Sequence, residues 1–213
     1  MSLRVDVDRQ TEEIQLKPLS SKLYFSLKRS VDVVVSLTML FLLSPILLLF
    51  CILIPIDSAG SPFYTQQRLG KDGKSFKLIK LRSMFLDAEK DGPQWTQKID
   101  PRITRMGAFI RNTRIDEIPQ FFNVLKGDMS LIGPRPERAY FYQEFDKLLP
   151  NFKNRLLVKP GITGWAQVNG GYDLTPEKKL VFDLDYIQQR SFAMEIKISF
   201  RTIAIVFNGN GAR

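Results

Sequence analysis

One long uncharged stretch, Val33 to Ile56, limits what this chain of 213 residues can fold into. As a helix it is long enough to cross the hydrocarbon core of a bilayer. It is too long, and lies too far from the N-terminus, to be a secretory signal peptide. The default interpretation is therefore a single transmembrane helix.

Ser44 and Pro45 fall near the middle of this stretch and suggest a different path. Pro45 cannot donate a hydrogen bond to the carbonyl of Phe41, so it should bend the helix, and Ser44 can bond back to an upstream carbonyl. Each half is then roughly 11 residues, or about 16 Å of helix, which spans one leaflet. A helix that enters and leaves the membrane by the same face is therefore the alternative to a spanning one.

Basic residues on both sides of the stretch bear on this choice. Cytoplasmic segments next to a membrane helix carry an excess of lysine and arginine. The basic residues are Lys22, Lys28 and Arg29 before the stretch, and Arg68, Lys71, Lys74, Lys77, Lys80 and Arg82 after it. Basic flanks on both sides suit two cytoplasmic ends better than one.

The composition narrows the chemistry that the chain can perform. Its net charge of +9 points to anionic partners, namely nucleic acid, an anionic membrane surface or phosphorylated small molecules. The chain has no histidine, which excludes Ser-His-Asp catalysis, Cys-His catalysis and histidine-ligated zinc. The single Cys51 excludes a cysteine metal site within one chain. Any metal would be a hard cation held by oxygen ligands.

Two adjacent carboxylates, Asp116 and Glu117, are the strongest candidates for a catalytic role. They come just before a short apolar run, residues 118–126, that Gly127 would end. We predict a helix there with Asp116 as its N-cap and Pro119 in the first turn, where a missing N–H costs nothing. This places both carboxylates at the positive end of a helix, which favours their ionised forms and nearby anions.

Arginines around the pair suggest more than a helix cap. An N-cap aspartate is common and would by itself be purely structural. Arg111, Arg114 and Arg135 would be poor neighbours to bring together for stability alone, but they suit a diphosphate substrate.

Strand and loop patterns surround this cluster. Residues 61–83 predict a β-hairpin with a Gly-Lys-Asp-Gly turn, in which Lys80 and Arg82 share one face. Basic residues on a strand usually only form a face that is exposed to solvent, with no binding role. Residues 160–171 are rich in glycine, so their backbone can approach a ligand closely.

Helical patterns fill much of the remainder. Residues 140–149 predict an amphipathic helix, and residues 194–207 are an amphipathic and basic stretch. Both would belong to the core or to the membrane interface. Asp183 and Asp185 form an Asp-x-Asp pattern typical of metal-dependent glycosyltransferases, but they follow a helix start at Thr175. On a helix these two side chains point about 200° apart, so we reject them as a metal site.

Four blocks in the chain resemble one family. They are residues 76–84, 100–107, 114–136 and 159–170, within a similarity that runs from about Leu27 to about Phe207. In these blocks the chain resembles the bacterial sugar transferases, the monotopic phosphoglycosyl transferases. The resemblance implies an α+β fold: a helix-rich cytoplasmic domain with a short β-hairpin, on a re-entrant membrane helix broken at Ser44-Pro45.

The resemblance also implies the domain order and the location. Residues 1–21 would be an N-terminal extension, 22–57 the re-entrant helix, and 58–213 the catalytic domain. The protein would lie in the bacterial inner membrane, among its lipids, with the catalytic domain on the cytoplasmic face.

The implied reaction transfers a sugar-1-phosphate from a UDP-sugar to polyprenyl (undecaprenyl) phosphate and releases UMP, as the first membrane step of glycoconjugate synthesis. Asp116 would attack the β-phosphorus as a nucleophile. Mg²⁺ is expected near Asp116, because it would cancel the repulsion between carboxylate and diphosphate. Glu117 would either bind the metal or accept a proton. The expected phosphate ligands are Lys80, Arg82, Arg111 and Arg135.

Two rivals remain at this point. A membrane-anchored basic domain that binds nucleic acid or anionic lipid explains the charge but not the carboxylate pair, so we expect no nucleic-acid partner. Direct glycosyl transfer would release UDP rather than UMP. The sugar and the oligomeric state, for which a homodimer is one option, lie beyond what the sequence indicates.

Overall fold

The computed structural model describes residues 22–90, 92, 94 and 100–208. The predicted N-terminal extension, residues 1–21, lies outside this part of the chain. Helices and short strands alternate, which confirms the predicted α+β class. The helices are α1 Lys22–Asp57, α2 Arg105–Asn112, α3 Gln120–Lys126, α4 Ala139–Leu148, α5 Trp165–Val168, α6 Pro176–Gln189 and α7 Phe192–Asn208. The strands are β1 Phe63–Leu69, β2 Ser75–Leu81, β3 Ser130–Ile132 and β4 Gly161–Thr163.

The first helix, α1, contains the whole uncharged stretch and is, by length and composition, long and apolar enough to cross a membrane. It continues through Pro45 without separating into two helices. Ser44 Oγ donates to the carbonyl of Phe41 at 2.8 Å. This is the carbonyl that Pro45 leaves without its helical donor, so the predicted back-bond is confirmed. A re-entrant path stays a prediction.

Both ends of α1 pack against the rest of the protein, whereas its middle does not. Near the start, Arg29 donates to the last carbonyls of α3, and Asp32 accepts from the N–H of Leu131. Near the end, Phe50 and Ile54 are buried in an apolar cluster with β2 and α2. Between them Phe41 is 79 % exposed, as expected for a surface that lipid would cover.

The hairpin of β1 and β2 is antiparallel and pairs Phe63 with Leu81 and Leu69 with Ser75. Its turn is formed by the predicted Gly-Lys-Asp-Gly segment, in which Asp72 and Gly73 have positive φ angles. The predicted hairpin is therefore confirmed, and it leaves Lys80 near the end of β2.

The main core lies between α4, α6 and α7. Tyr142 of α4, Leu184 of α6 and Ile198 of α7 are buried in one cluster. The helix predicted over residues 140–149 is therefore confirmed. The amphipathic stretch of residues 194–207 lies in α7, and both helices contribute to the core. Both also expose apolar side chains on the opposite face, such as Tyr140 and Phe200.

Two glycine segments pack backbone against backbone. The strands β3 and β4 are parallel and pair Ser130 with Gly161. A Cβ on Gly161 would lie 2.1 Å from the backbone N of Gly133, and one on Gly164 would lie 2.2 Å from the Gly133 carbonyl oxygen. The glycines of residues 160–171 therefore allow a close approach to the segment that precedes Arg135, and a close approach to a ligand stays a prediction.

Candidate active site

The turn that carries Asp116 and Glu117 differs from the prediction. Residues 115–117 form a single 3₁₀ turn that follows Arg114, whose φ of 59° is left-handed. Helix α3 starts after it, with Pro119 at the N-cap position and no capping side chain. The prediction that Asp116 caps this helix is wrong, because the extra turn moves it away from the N–H groups of α3. The predicted stop at Gly127 is confirmed, with φ at 89°.

Both carboxylates face one lysine. Lys80 Nζ lies 3.5 Å from Asp116 Oδ2 and 3.4 Å from Glu117 Oε1. Arg135 Nη2 approaches the same Glu117 oxygen at 2.7 Å. The hairpin, the 3₁₀ turn and the segment after β3 therefore bring four of the predicted residues into one cluster.

The two carboxylates differ in their electrostatics. Burial raises the pKa of Asp116; Lys80 opposes this shift and Glu117 adds to it. Burial would also raise the pKa of Glu117, but Arg135 and Lys80 outweigh it and lower that pKa to about 2. Glu117 is therefore ionised at neutral pH and is a poor proton acceptor, since an effective general base has a pKa near the working pH.

A pocket of about 500 Å³ opens over this cluster, within the size range of small-molecule sites. Every residue predicted for the site lines it: Lys80, Arg82, Arg111, Asp116, Glu117 and Arg135. Further basic side chains that the sequence analysis did not assign to the site also line it: Arg68, Arg102, Arg138, Arg155 and Lys179. The excess of cations suits a substrate with several negative charges.

Arg82 has a further role that the sequence did not indicate. Its guanidinium donates to the carbonyl oxygens of Ala59 at 2.8 Å and Gly60 at 3.3 Å, and also to that of Ser58. These carbonyls follow the last turn of α1, so Arg82 ties the end of this helix to the hairpin. Phosphate binding by Arg82 stays a prediction.

Arg111 and Arg114 complete the electrostatic setting. Arg111, in the last turn of α2, lowers the pKa of Asp116 against the stronger effect of burial. Arg114 acts on Glu117 in the same direction. Arg111, a predicted phosphate ligand, lines the same pocket as Asp116.

The donor set suits a magnesium ion that is shared with a substrate. Among the described residues no group of three or more potential protein ligands is present. Mg²⁺ commonly binds through one or two carboxylates together with substrate phosphates. Asp116 and Glu117 supply two such carboxylates on one wall of the pocket, so the residues present fit this ion.

The Asp-x-Asp residues bind different partners. Asp183 accepts from Arg155 Nε at 2.7 Å, whereas Asp185 accepts from Trp165 Nε1 at 2.8 Å. This confirms that they face different sides of α6. The predicted helix start is also confirmed, since Thr175 caps α6.

Comparison with known proteins now adds to this geometry. The family described as bacterial sugar transferase matches residues 23–209. The chain belongs to the bacterial sugar transferase family. This match confirms the family that the four sequence blocks indicate.

Three relatives illustrate the family. A UDP-N-acetylgalactosamine-undecaprenyl-phosphate N-acetylgalactosaminephosphotransferase of Aeromonas hydrophila is 42 % identical over 99 % of this chain and 50 % of its own length. A putative undecaprenyl-phosphate N-acetylgalactosaminyl 1-phosphate transferase of Bacillus subtilis is 52 % identical over 73 % of this chain and 88 % of its own. A UDP-glucose:undecaprenyl-phosphate glucose-1-phosphate transferase of Escherichia coli is 43 % identical over 83 % of this chain and 39 % of its own. The chain thus spans half or less of two of these family members.

Proposed function

We propose that this protein transfers a sugar-1-phosphate from a UDP-sugar to undecaprenyl phosphate and releases UMP, as the first membrane step of glycoconjugate synthesis. The observation that carries the proposal is the cluster in which Lys80 lies between Asp116 and Glu117, at the base of a cationic pocket. The named activities of the three relatives support it.

Asp116 is the proposed nucleophile. Its carboxylate oxygen attacks the β-phosphorus of the UDP-sugar, and the bond from that phosphorus to the bridging oxygen breaks. UMP leaves with the bond's electron pair, and Asp116 carries the sugar-1-phosphate as an acyl phosphate. A phosphate oxygen of undecaprenyl phosphate then attacks the same phosphorus, which frees the carboxylate and gives the lipid-linked diphosphate sugar.

Lys80, Arg135 and Arg111 are the proposed phosphate ligands. Lys80 and Arg135 contact Glu117 in the protein alone, so the carboxylate holds both cations where phosphate oxygens would bind. A bound diphosphate would share these donors, and the pocket would stabilise charge that develops on the phosphoryl oxygens.

Glu117 is assigned to orientation and metal binding rather than to proton transfer, because Arg135 and Lys80 hold its pKa at about 2 against the effect of burial. Mg²⁺, when bound by Asp116 and Glu117, would supply charge neutralisation between carboxylate and diphosphate. Arg82 is left out of the phosphate ligands in this proposal, since its donors bind carbonyls after α1.

A re-entrant path for α1 belongs to the same proposal. A straight helix would separate Arg29 from Ile54 by about 38 Å. However, Arg29 donates to a carbonyl near the end of α3, and Asn123 of α3 accepts from the N–H of Ile79 in β2. At the other end of α1, Ile54 packs with Leu81, also in β2. Ile79 and Leu81 are only about 7 Å apart along β2. Contacts from the two ends of α1 thus lead to neighbouring residues of β2, directly or through α3. They support the proposal of a bent helix with both ends on the cytoplasmic face of the inner membrane.

Cysteine labelling tests this topology. A single cysteine near Ser20, in a Cys51→Ala background, should react only with reagents on the cytoplasmic side. Pro45→Ala should straighten α1, bias it towards spanning the membrane and place some N-termini outside. Labelling from outside in the protein with Pro45 intact would establish an ordinary spanning helix instead.

The released nucleotide tests the reaction itself. The purified protein is incubated with undecaprenyl phosphate, Mg²⁺ and, in turn, UDP-N-acetylgalactosamine, UDP-glucose and UDP-galactose. At least one donor should give UMP together with a lipid-linked diphosphate sugar. Release of UDP would indicate direct glycosyl transfer, and lipid or nucleic-acid binding with no turnover of any donor would favour a basic membrane-anchored domain.

A further inference from the structure

The segment of residues 133–137 carries Arg135 into the pocket, and two prolines shape it. Pro134 and Pro136 have no N–H, so this backbone cannot continue a regular ladder of hydrogen bonds. Its carbonyl oxygens still need donors. Backbone N–H groups of Gly161 and Leu69 bind the carbonyls of residues 134 and 137, which leaves the two between them.

Arginine side chains bind these two middle carbonyls. Arg155 Nη2 donates to the carbonyl of Arg135 at 3.1 Å. Arg68 Nη1 donates to the carbonyl of Pro136 at 3.1 Å. The position of the Arg135 backbone therefore depends on a side chain that lies in a different part of the sequence.

Arg155 is itself held on several sides. Its Nε lies 2.7 Å from Asp183 Oδ2, and the two side chains are each 2 % exposed. Its guanidinium also lies over the ring of Phe152, 4.9 Å from the centroid. Because a guanidinium is planar and presents its donors in a fixed fork, these contacts determine where Nη2 points.

Stability alone is a weak reason for such a pair. Taking two charges out of water is expensive, and well-packed apolar residues of similar volume are often equally good or better. The extra hydrogen bond from Arg155 to the Arg135 carbonyl is the feature that an apolar replacement would lose.

We propose that Arg155 and Asp183 are positioning residues for phosphate recognition. Asp183 orients Arg155, and Arg155 holds the backbone of Arg135, whose Nη2 lies 2.7 Å from Glu117 Oε1. The pair acts through Arg135. This inference rests on the proposed function, because it assumes that Arg135 binds phosphate.

The test replaces both partners at once. A single substitution would strand a buried charge and destabilise the fold, whereas Arg155→Met with Asp183→Leu removes both charges and keeps apolar volume. We expect this double variant to melt near the wild-type temperature but to lose about 10²-fold in kcat/KM for the UDP-sugar, since a displacement near 1 Å can cost that much. Leu184→Met, in the same helix, is the matched control for a packing change and should keep wild-type kinetics.

A second background separates positioning from general structure. In Arg135→Ala, the double substitution should cause little further loss, because effects that act through one residue are not additive. Wild-type kcat/KM in the folded double variant, or an equal loss in both backgrounds, would overturn the proposal. If the double variant shows no cooperative unfolding, Arg155→Gln with Asp183→Asn is measured in its place. The two shorter amide side chains can bind each other, but they cannot at the same time reach the Arg135 carbonyl.

Binding of inorganic pyrophosphate distinguishes a failure of the positioning role from a failure of the proposed function. Calorimetry should show weaker binding to the double variant than to wild type and Leu184→Met. If wild-type protein releases no UMP from any donor, the proposed function fails. Pyrophosphate binding still tests whether Arg155 and Asp183 position a phosphate site. Unchanged pyrophosphate affinity in the double variant would overturn the positioning role alone.

Discussion

Two clusters of buried charge in this protein are built in opposite ways. Asp116 and Glu117 share the amine of Lys80 at 3.4–3.5 Å, and Glu117 also accepts from Arg135 at 2.7 Å. Arg155 and Asp183 instead form a one-to-one pair at 2.7 Å in which each side chain is 2 % exposed. A shared cation can be redistributed to a phosphate when a substrate binds, whereas a matched and buried pair holds its neighbours in one place. The first arrangement is suited to a catalytic site, and the second is suited to holding the Arg135 backbone in a fixed position.

Asp116→Asn should show the largest effect on the shared cluster. An amide cannot form the acyl phosphate, so we expect a loss of at least about 10³-fold in UMP release. Because burial raises the pKa of Asp116, its charge costs stability as the pH rises through the folded-state pKa. The variant should therefore keep or gain thermal stability at pH 7. Substantial residual turnover would remove Asp116 from the nucleophile role.

Lys80→Ala and Arg135→Ala should follow. Each removes a donor to the phosphate oxygens, for an expected loss of about 2–4 kcal/mol of transition-state stabilisation. Steady-state kinetics with varied UDP-sugar measures this loss, and Lys147→Ala, in an exposed pair on α4, is the control. Unchanged kcat/KM in either variant would leave that residue structural.

Glu117→Gln should change how stability depends on pH. Arg135 and Lys80 outweigh burial and lower the pKa of Glu117 from 4.5 to about 2. Its charge therefore stabilises the folded protein above pH 4.5, and this contribution is lost as the pH falls towards 2. At pH 7 the variant should be less stable by up to about 3 kcal/mol. Chemical denaturation at several pH values measures the difference, and a gap between variant and wild type that stayed constant with pH would contradict the assignment.

Asp185→Asn should show the smallest effect. Asp185 accepts hydrogen bonds from Trp165 through Oδ2 and from the exposed Gln189 through Oδ1. In Asn the oxygen can still accept from Trp165, and the new amide nitrogen can donate to Gln189 once the Gln189 amide turns over. We expect a stability change within about 0.5 kcal/mol and nearly wild-type turnover. A large loss of magnesium-dependent activity would reopen the Asp-x-Asp pattern as a metal site.

Local features of the fold could be predicted from the sequence because their causes lie within a few residues. The hairpin turn at Asp72 and Gly73, the stop at Gly127 and the cap at Thr175 all follow from what these residue types allow the backbone to do. The predicted cap at Asp116 was wrong because the left-handed Arg114 starts a separate 3₁₀ turn. Nothing in the local pattern marks that extra turn.

Long-range partners within the site could not be predicted in the same way. The carboxylates and Lys80 were found through their residue types and the family resemblance, but the carbonyls that bind Arg82 lie more than twenty residues away, just past α1. Arg155 reaches the Arg135 carbonyl across twenty residues of chain. No periodicity or motif connects such residues, since only the folded backbone brings them together.

The central claim is that Asp116 carries the phosphosugar. Its most direct test is to incubate the protein with a UDP-sugar and Mg²⁺, without undecaprenyl phosphate, and to measure the intact mass and the modified peptide. We expect an added sugar-1-phosphate on the peptide that contains Asp116, one UMP released for each adduct, and no adduct in Asp116→Asn. An adduct on another residue, or the same adduct in Asp116→Asn, would contradict the account.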